Sequence, residues 1–401
     1  MIATSAFNNL AKSVGSALRT SRATPDSVVL DVLKAPGCEL PADLNQDLRA
    51  VIARTPANLA AVQSLEAQII SLPADLLTCA QWLHLHEALC LVGRYPMAYV
   101  CREHARRLAT RPVFANNYPP PISWDNTIAA YIEGDESAKS RTLARLFVEA
   151  GFYGRHARKW LDLERRLHQS ASDGVDEDLA GQDPFAEFVA NKSVALVGPM
   201  ASNTLSGEEI DAHDAVIRIN HSFTGKLTDP DSKGNRTDIS YFSAMETRAL
   251  MRDRQGLLPG ELAWACFKKD RRTAYMATLN TRVLCRTTDG FDTMTFHGAY
   301  NMVPAIALDL AGFLPARLKV FHTDLMLTVA RARGYYSETI GKPQATIDTA
   351  RKDFVSHDPI LQYRVLEKMW RCGRVTGDPR FEAIMGMGLM NYLRELEAVY
   401  A

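Results

Sequence analysis

Nowhere in its 401 residues does the chain carry an uninterrupted run of 18 apolar residues, so no segment is expected to cross a bilayer. Its first residues lack a compact apolar core ahead of a small-residue cleavage site, so no secretory signal is expected there. It also lacks a charge of one sign: 46 basic residues balance 46 acidic ones, which removes any global attraction to nucleic acid or to an anionic membrane surface. The seven cysteines, at 38, 79, 90, 101, 266, 285 and 372, form no C-x-x-C pair, so neither a zinc ribbon nor a dithiol redox motif is written, and the thiols are expected to be free. The apolar run at Val194 is not followed by G-x-G-x-x-G, which argues against a nicotinamide-dinucleotide enzyme.

What is present bounds the organisation. At 44.5 kDa and 47% apolar residues, about two domains with substantial cores are expected. Residues 1–25 carry Lys12, Arg19 and Arg22 and no acid, a composition shared by transit peptides and by flexible basic termini; it is read as a flexible terminus. Residues 26–170 are rich in Ala, Leu and Arg with helical apolar spacing, for example Trp82, Leu85, Leu89 and Val92, and are read as an all-helical domain. Gly93-Arg94-Tyr95-Pro96-Met97-Ala98 resembles the hinge of tetratricopeptide-like hairpins, and Gly151-Phe152-Tyr153 with Ala157 echoes it, so this half is a candidate partner-binding module. Its histidines His84, His86 and His104 include an H-x-H pair, but i and i+2 point to different faces of a helix, which favours surface or packing roles over metal binding. Residues 171–186 are small, acidic and broken by Gly and Pro, as in a solvated connector.

The catalytic chemistry is expected in residues 187–401. Val194–Val197 reads as a parallel strand buried on both faces that ends at Gly198 and delivers a ligand loop with Ser202 and Asn203. A short helical turn at Gly207–Ile210 and a second strand at Ala215–Ile219 follow, the latter handing Asn220 to a cleft. Asp229-Pro230-Asp231 spells the D-x-D pattern of metal-dependent sugar transferases, but the same residues are complete turn chemistry, and no metal site is assigned. His357 stands directly before Asp358-Pro359, where a histidine reads first as a helix-entry residue, though an imidazole with an ordinary pKa of about 6.5 could also take a proton at neutral pH.

The order V-x-L-V-G, then S-G-x-x-I-D-x-H-D-x-V-I-R-x-N, then G-x-[KR]-T resembles the large sialyl motif of glycosyltransferase family 29, with about ten positions agreeing over Val194–Asp238. Gly298–Asp324 resembles the small sialyl motif less closely: His297-Gly298-Ala299-Tyr300 stands at its Ser-x-Gly loop, and Phe321-His322 stands at its Tyr-Gly strand end. Gly334-Tyr335-Tyr336 resembles the third motif without its histidine, for which His322 is a spatial substitute. His357 matches the histidine of the last motif, with Gln362 where a Glu is usual. The family's first CMP-binding asparagine is Pro199 here, with Ser202 or Asn203 as replacements, and the two cysteines that secretory members join stand as Val194 and Ala311.

The resemblance implies an α/β fold, a Rossmann-like GT-A-variant catalytic domain behind the all-α domain, and inverting, metal-independent transfer of sialic acid or a related 2-keto acid sugar such as Kdo from a CMP-activated donor to a glycan hydroxyl. His357 is then the base, and Gly198, Ser202, Asn203, Asn220, Gly298, Ala299, His322, Tyr335 and Tyr336 bind the donor. No cofactor beyond the nucleotide sugar is implied. Missing membrane span and free thiols imply a soluble, cytoplasmic protein, with peripheral contact at the inner membrane face left open. The alternative is a degenerate, non-catalytic transferase that acts as a scaffold through its helical domain.

Overall fold

The computed structural model describes residues 40, 42–52, 59–110, 124–149, 154–168, 183–200, 204–221, 229–268, 272–288, 290–291, 294–313, 315–329 and 347–401. Ser202, Asn203, Tyr335 and Tyr336, the 151–153 echo of the hairpin hinge and the connector up to residue 182 lie outside them.

The protein is an α/β protein. Seven strands form one all-parallel sheet: β1 (Ser193–Val197), β2 (Ala215–Ile219), β3 (Ile239–Phe242), β4 (Trp264–Phe267), β5 (Leu284–Thr287), β6 (Arg317–Phe321) and β7 (Thr376–Gly377). Their order across the sheet is β5-β4-β3-β2-β1-β6-β7. The chain therefore winds outward from β1 to one edge, then returns to the other side of β1 with β6. At such a reversal neighbouring crossovers run to opposite faces and leave a crevice beyond the strand ends.

Burial explains why the central strands read as continuous apolar runs: Val194 to Leu196 are fully inaccessible, as are Ala215 to Ile217. Arg218 is the exception in β2. It is buried, and its guanidinium donates to the carbonyls of Arg236 and Lys233 and to the Thr237 hydroxyl. Gly198 is needed because the chain leaving β1 runs against β6: its N–H donates to the Phe321 carbonyl at 2.7 Å, and a Cβ there would lie 2.5 Å from the His322 carbonyl oxygen.

All described elements ahead of β1 are helices. Trp82, Leu85, Leu89 and Val92 are all buried. The helices Cys79–Leu91 and Tyr95–Ala109 are joined through Gly93, whose φ of +80° and approach to the Tyr400 carbonyl admit no side chain without strain. One hydrophobic cluster runs from Leu65 and Trp82 through Leu163 to Leu196, Leu366 and Tyr400, so the helices pack into the same core as the sheet. The connector ends at Asp183, whose carboxylate caps the helix Pro184–Val189; Phe185 from that helix packs edge-on against Trp264 of β4. Among the described residues, six cysteines are free and no helix is long and apolar enough to cross a membrane.

Candidate functional site

A cavity of about 440 Å³ opens where the parallel strands end. Its walls come from the segments after β1 (Pro199, Met200), β2 (Asn220), β3 (Ser243) and β6 (Thr323, Asp324), closed by His357 and Gln362.

Three helices start at this cavity, each begun by a polar cap. Ser243 accepts from the Glu246 N–H ahead of Ala244–Arg254, Asn301 accepts from the Met302 N–H ahead of Met302–Ala311, and Asp358 accepts from the Ile360 N–H ahead of Pro359–Arg371. Ser243, Asn301 and Pro359 line the wall. Each N-terminus carries roughly half a positive charge, so the three together favour an anion. Arg248 stands exposed on the same wall, while Glu246, Asp324 and Asp353 add carboxylates, so the cavity offers both donors and acceptors.

Asn220 follows β2 with φ +56°, a conformation asparagine tolerates better than most residues. Its carboxamide oxygen accepts from the Ser243 N–H at 2.8 Å, which fixes the amide and leaves its NH2 as the available donor. The loop after β1 is held by Lys233, whose ammonium donates to the carbonyls of Gly198 and Met200. Burial, with Arg218 adding like charge, pushes the Lys233 pKa down to about 8.

His357, half-buried, lies directly before Asp358 and the Pro359–Arg371 helix. Its Nδ1 faces the Ala299 carbonyl at 3.4 Å. Gly298, with φ +82°, packs its backbone against Asp358 and Ser356 and turns Ala299 toward His357. Gln362 ties the same loop twice: its amide NH2 donates to the Ala299 carbonyl at 2.9 Å and its oxygen accepts from the Asn301 N–H at 2.7 Å.

Behind the cavity wall is a buried ionic network reaching into the N-terminal helices. The Asp358 carboxylate accepts from Arg102 at 2.6 Å and from His86 at 2.7 Å. Arg102 also grips Glu133 through two hydrogen bonds, at 2.6 and 2.7 Å, and donates to the His297 carbonyl at 3.1 Å. Burial alone would raise the Asp358 pKa, but Arg102 and His86 outweigh it and hold the carboxyl well below its usual range.

Of the sequence candidates, the structure brings His357 and Asn220 to one cavity. Gly198, Gly298 and Ala299 shape its loops from behind rather than lining it. His322 is different. With φ +52° at the end of β6 it turns into the protein, fully buried, and its Nε2 pairs with the Ser232 carbonyl at 2.9 Å, so it does not line the cavity. Burial, reinforced by Lys233, lowers its pKa and keeps it neutral. His86 is neither a surface residue nor a simple packing residue but an ion-pair partner of Asp358. His104 stacks on Trp82, as a packing histidine does. Asp229 spends its carboxylate capping the turn Pro230–Lys233. Ser243, Asn301, Thr323 and Asp324 were not singled out from the sequence; Ser243-x-x-Glu246 carried a helix-start signal that marks Ser243.

Comparison of the chain with protein-family models, with curated proteins and with solved structures finds no match in any of the three.

Proposed function

We propose that the protein is an inverting glycosyltransferase that moves sialic acid, or a related 2-keto acid sugar such as Kdo, from its CMP-activated donor to a glycan hydroxyl. The observation that carries this reading is the convergence of three helix N-termini, the Asn220 amide and His357 on one cavity beyond the reversal point of a parallel sheet. That arrangement supports the Rossmann-like, GT-A-variant description of the catalytic half behind a helical one. A donor with a phosphodiester and a sugar carboxylate carries two anionic groups, which suits the helix starts and the rim Arg248. Asp353 and the other wall carboxylates supply acceptors for sugar hydroxyls.

In the reaction the bond between the anomeric carbon and the phosphate oxygen breaks, and its electron pair leaves with CMP. The acceptor hydroxyl oxygen forms the new bond from the opposite face, and its proton passes to the imidazole of His357. Asn220 and the amides at the helix starts donate to the departing phosphate, where negative charge builds up. The donor's phosphate is the leaving group, so the scheme draws on no protein-bound metal.

Calorimetric titration with CMP, CDP, UDP and NAD in EDTA tests the reading, together with release of CMP from CMP-sialic acid and CMP-Kdo. Selective CMP binding is expected, and His357→Ala should keep it while losing about 10²–10⁴-fold in turnover, the scale of general-base catalysis. Absence of CMP binding would overturn the proposal and favour a scaffold role, and binding of a diphosphate only when metal is restored would overturn it in favour of the metal-dependent D-x-D reading.

A further inference from the structure

We infer that Tyr392 and Tyr400 are positioning residues for the cavity, their hydroxyls holding the wall segment after β6 in a backbone conformation that its own side chains disfavour. Leaving β6, the chain takes φ +52° at His322, +50° at Leu325 and +75° at Met326, and none of these residues is glycine. Leucine and methionine rarely enter this left-handed region, because Cβ then crowds a backbone carbonyl oxygen. Such backbone persists only where the surrounding structure over-determines it, as at ligand clamps and active sites. Thr323, Asp324, Leu325 and Met326 all line the cavity, so the strained stretch is part of its wall.

Leu325 and Met326 are each held by the carbonyl. A carbonyl oxygen can only accept, and a phenol hydroxyl meets each one: Tyr392 donates to the Leu325 carbonyl at 2.7 Å and Tyr400 to the Met326 carbonyl at 2.8 Å. Both tyrosines are fully buried on the last helix, Leu389–Tyr400, eight residues apart, a spacing that returns to one face of a helix. Packing fixes their rings. Tyr392 stacks on Tyr363 with ring centres 4.9 Å apart, and Tyr400 meets Phe354 edge-on at 5.2 Å. The start of the segment is tied as well, since the His322 carbonyl accepts from the Met200 N–H at 3.0 Å and the Asp378 carboxylate accepts from the His322 N–H at 2.8 Å. What the arrangement places is Thr323, which packs against the turn after β1: a Cβ on Gly198 would lie 3.0 Å from the Thr323 hydroxyl oxygen. Tyr400 is not part of the cavity lining, so its hydroxyl acts on a ligand only through this segment.

That the wall receives a CMP-activated donor rests on the proposed function, but the clamp itself does not, and it can be read without ligand. Amide hydrogen exchange of the full chain, followed by mass spectrometry on the peptide that spans 323–327, reports how often the segment opens. Met326→Gly and Met326→Ala both remove the side chain beyond Cβ, but only alanine keeps a Cβ at φ +75°. Exchange should be about tenfold slower in the glycine variant than in the alanine variant, the scale of left-handed strain. At an unstrained position glycine is the looser residue, so the reverse order would overturn the inference. Tyr400→Phe removes one oxygen and should speed exchange in this peptide about tenfold, the scale of a buried carbonyl left unpaired, with the helices ahead of β1 unchanged. The same variant should bind CMP several-fold more weakly. Unchanged exchange, or unchanged CMP affinity with the segment loosened, would overturn the positioning role. If Tyr400→Phe does not fold, Tyr392→Phe and the glycine–alanine comparison still decide. A wild type that binds no CMP while its exchange follows this pattern would sink the proposed reaction and leave the clamp standing.

Discussion

Replacing Arg102 with methionine removes the centre of the buried network while keeping an apolar stem of similar length. Arg102 is fully buried and makes four hydrogen bonds, to both oxygens of Glu133, to Asp358 and to the His297 carbonyl. Its loss leaves two buried carboxylates with less compensation. Each keeps a second partner, His86 at 2.7 Å for Asp358 and Arg364 at 3.3 Å for Glu133. Removing one partner from a buried ion pair costs about 3–5 kcal/mol, and the remaining partners put this case near about 3 kcal/mol. The penalty should also depend on pH through His86. Burial alone would lower the His86 pKa, but Cys90 and the Asp358 carboxylate raise it well above the ordinary value. Because the folded value is raised, the stabilisation from charged His86 is complete below its unfolded pKa of about 6.5 and is lost as the pH climbs through the folded value. The Arg102→Met penalty should therefore grow as the pH is raised through the folded-state pKa of His86, since Asp358 then loses its remaining cation. Urea unfolding followed by circular dichroism, wild type against variant at each pH, gives the difference directly. A loss below about 1 kcal/mol, the range of exposed ion pairs, or a penalty that shrinks with rising pH, would refute the reasoning.

Lys233 predicts a second pH effect of opposite sense. Its folded pKa of about 8 lies below that of an unfolded lysine, so between those values the unfolded chain binds the extra proton and stability should rise with pH relative to a Lys233→Met reference. The gain should be about 1.4 kcal/mol per pH unit over that window, and parallel pH–stability curves for the two proteins would exclude it. Gly93→Ala places a Cβ 2.6 Å from the Tyr400 carbonyl at a φ of +80°, so a thermal melt should show a loss of about 2–3 kcal/mol, and a neutral result would mean that the hairpin turn and the C-terminal helix are not packed as described.

The strands and the glycine turn were legible because burial on both faces forces an unbroken apolar run, as in Val194–Val197 and Ala215–Ile217, and because close approach to β6 demands glycine at 198. Asn220 and His357 were legible one at a time as chemistry-bearing residues. That they share a cavity is a consequence of parallel winding, which brings segments far apart in sequence to one rim. His322 was misplaced for a local reason: a residue that ends a strand is expected to face the crevice, but here the backbone enters the left-handed region and carries the imidazole beneath the sheet end.

The polar network was illegible for a different reason. Arg102, His86 and Glu133 are polar positions on helices, where such a residue ordinarily meets solvent, and Asp358, the residue that gives Arg102 and His86 a partner, lies 256 positions beyond Arg102. Charge of this kind is recognisable as buried only after the tertiary contact exists. Its placement has a physical consequence for the way the two halves are regarded. Asp358 spends one oxygen on the helix start beside His357 and the other on two cations from the N-terminal helices, while Arg102 also holds the His297 carbonyl at the foot of the loop that faces His357. The geometry around His357 is thus set partly by residues outside the sheet-bearing half. A buried carboxylate with its cations withdrawn would draw water or a proton and release the helix start it caps. The N-terminal helices are for that reason part of the structure that shapes the cavity, whatever other partner their outer surface receives.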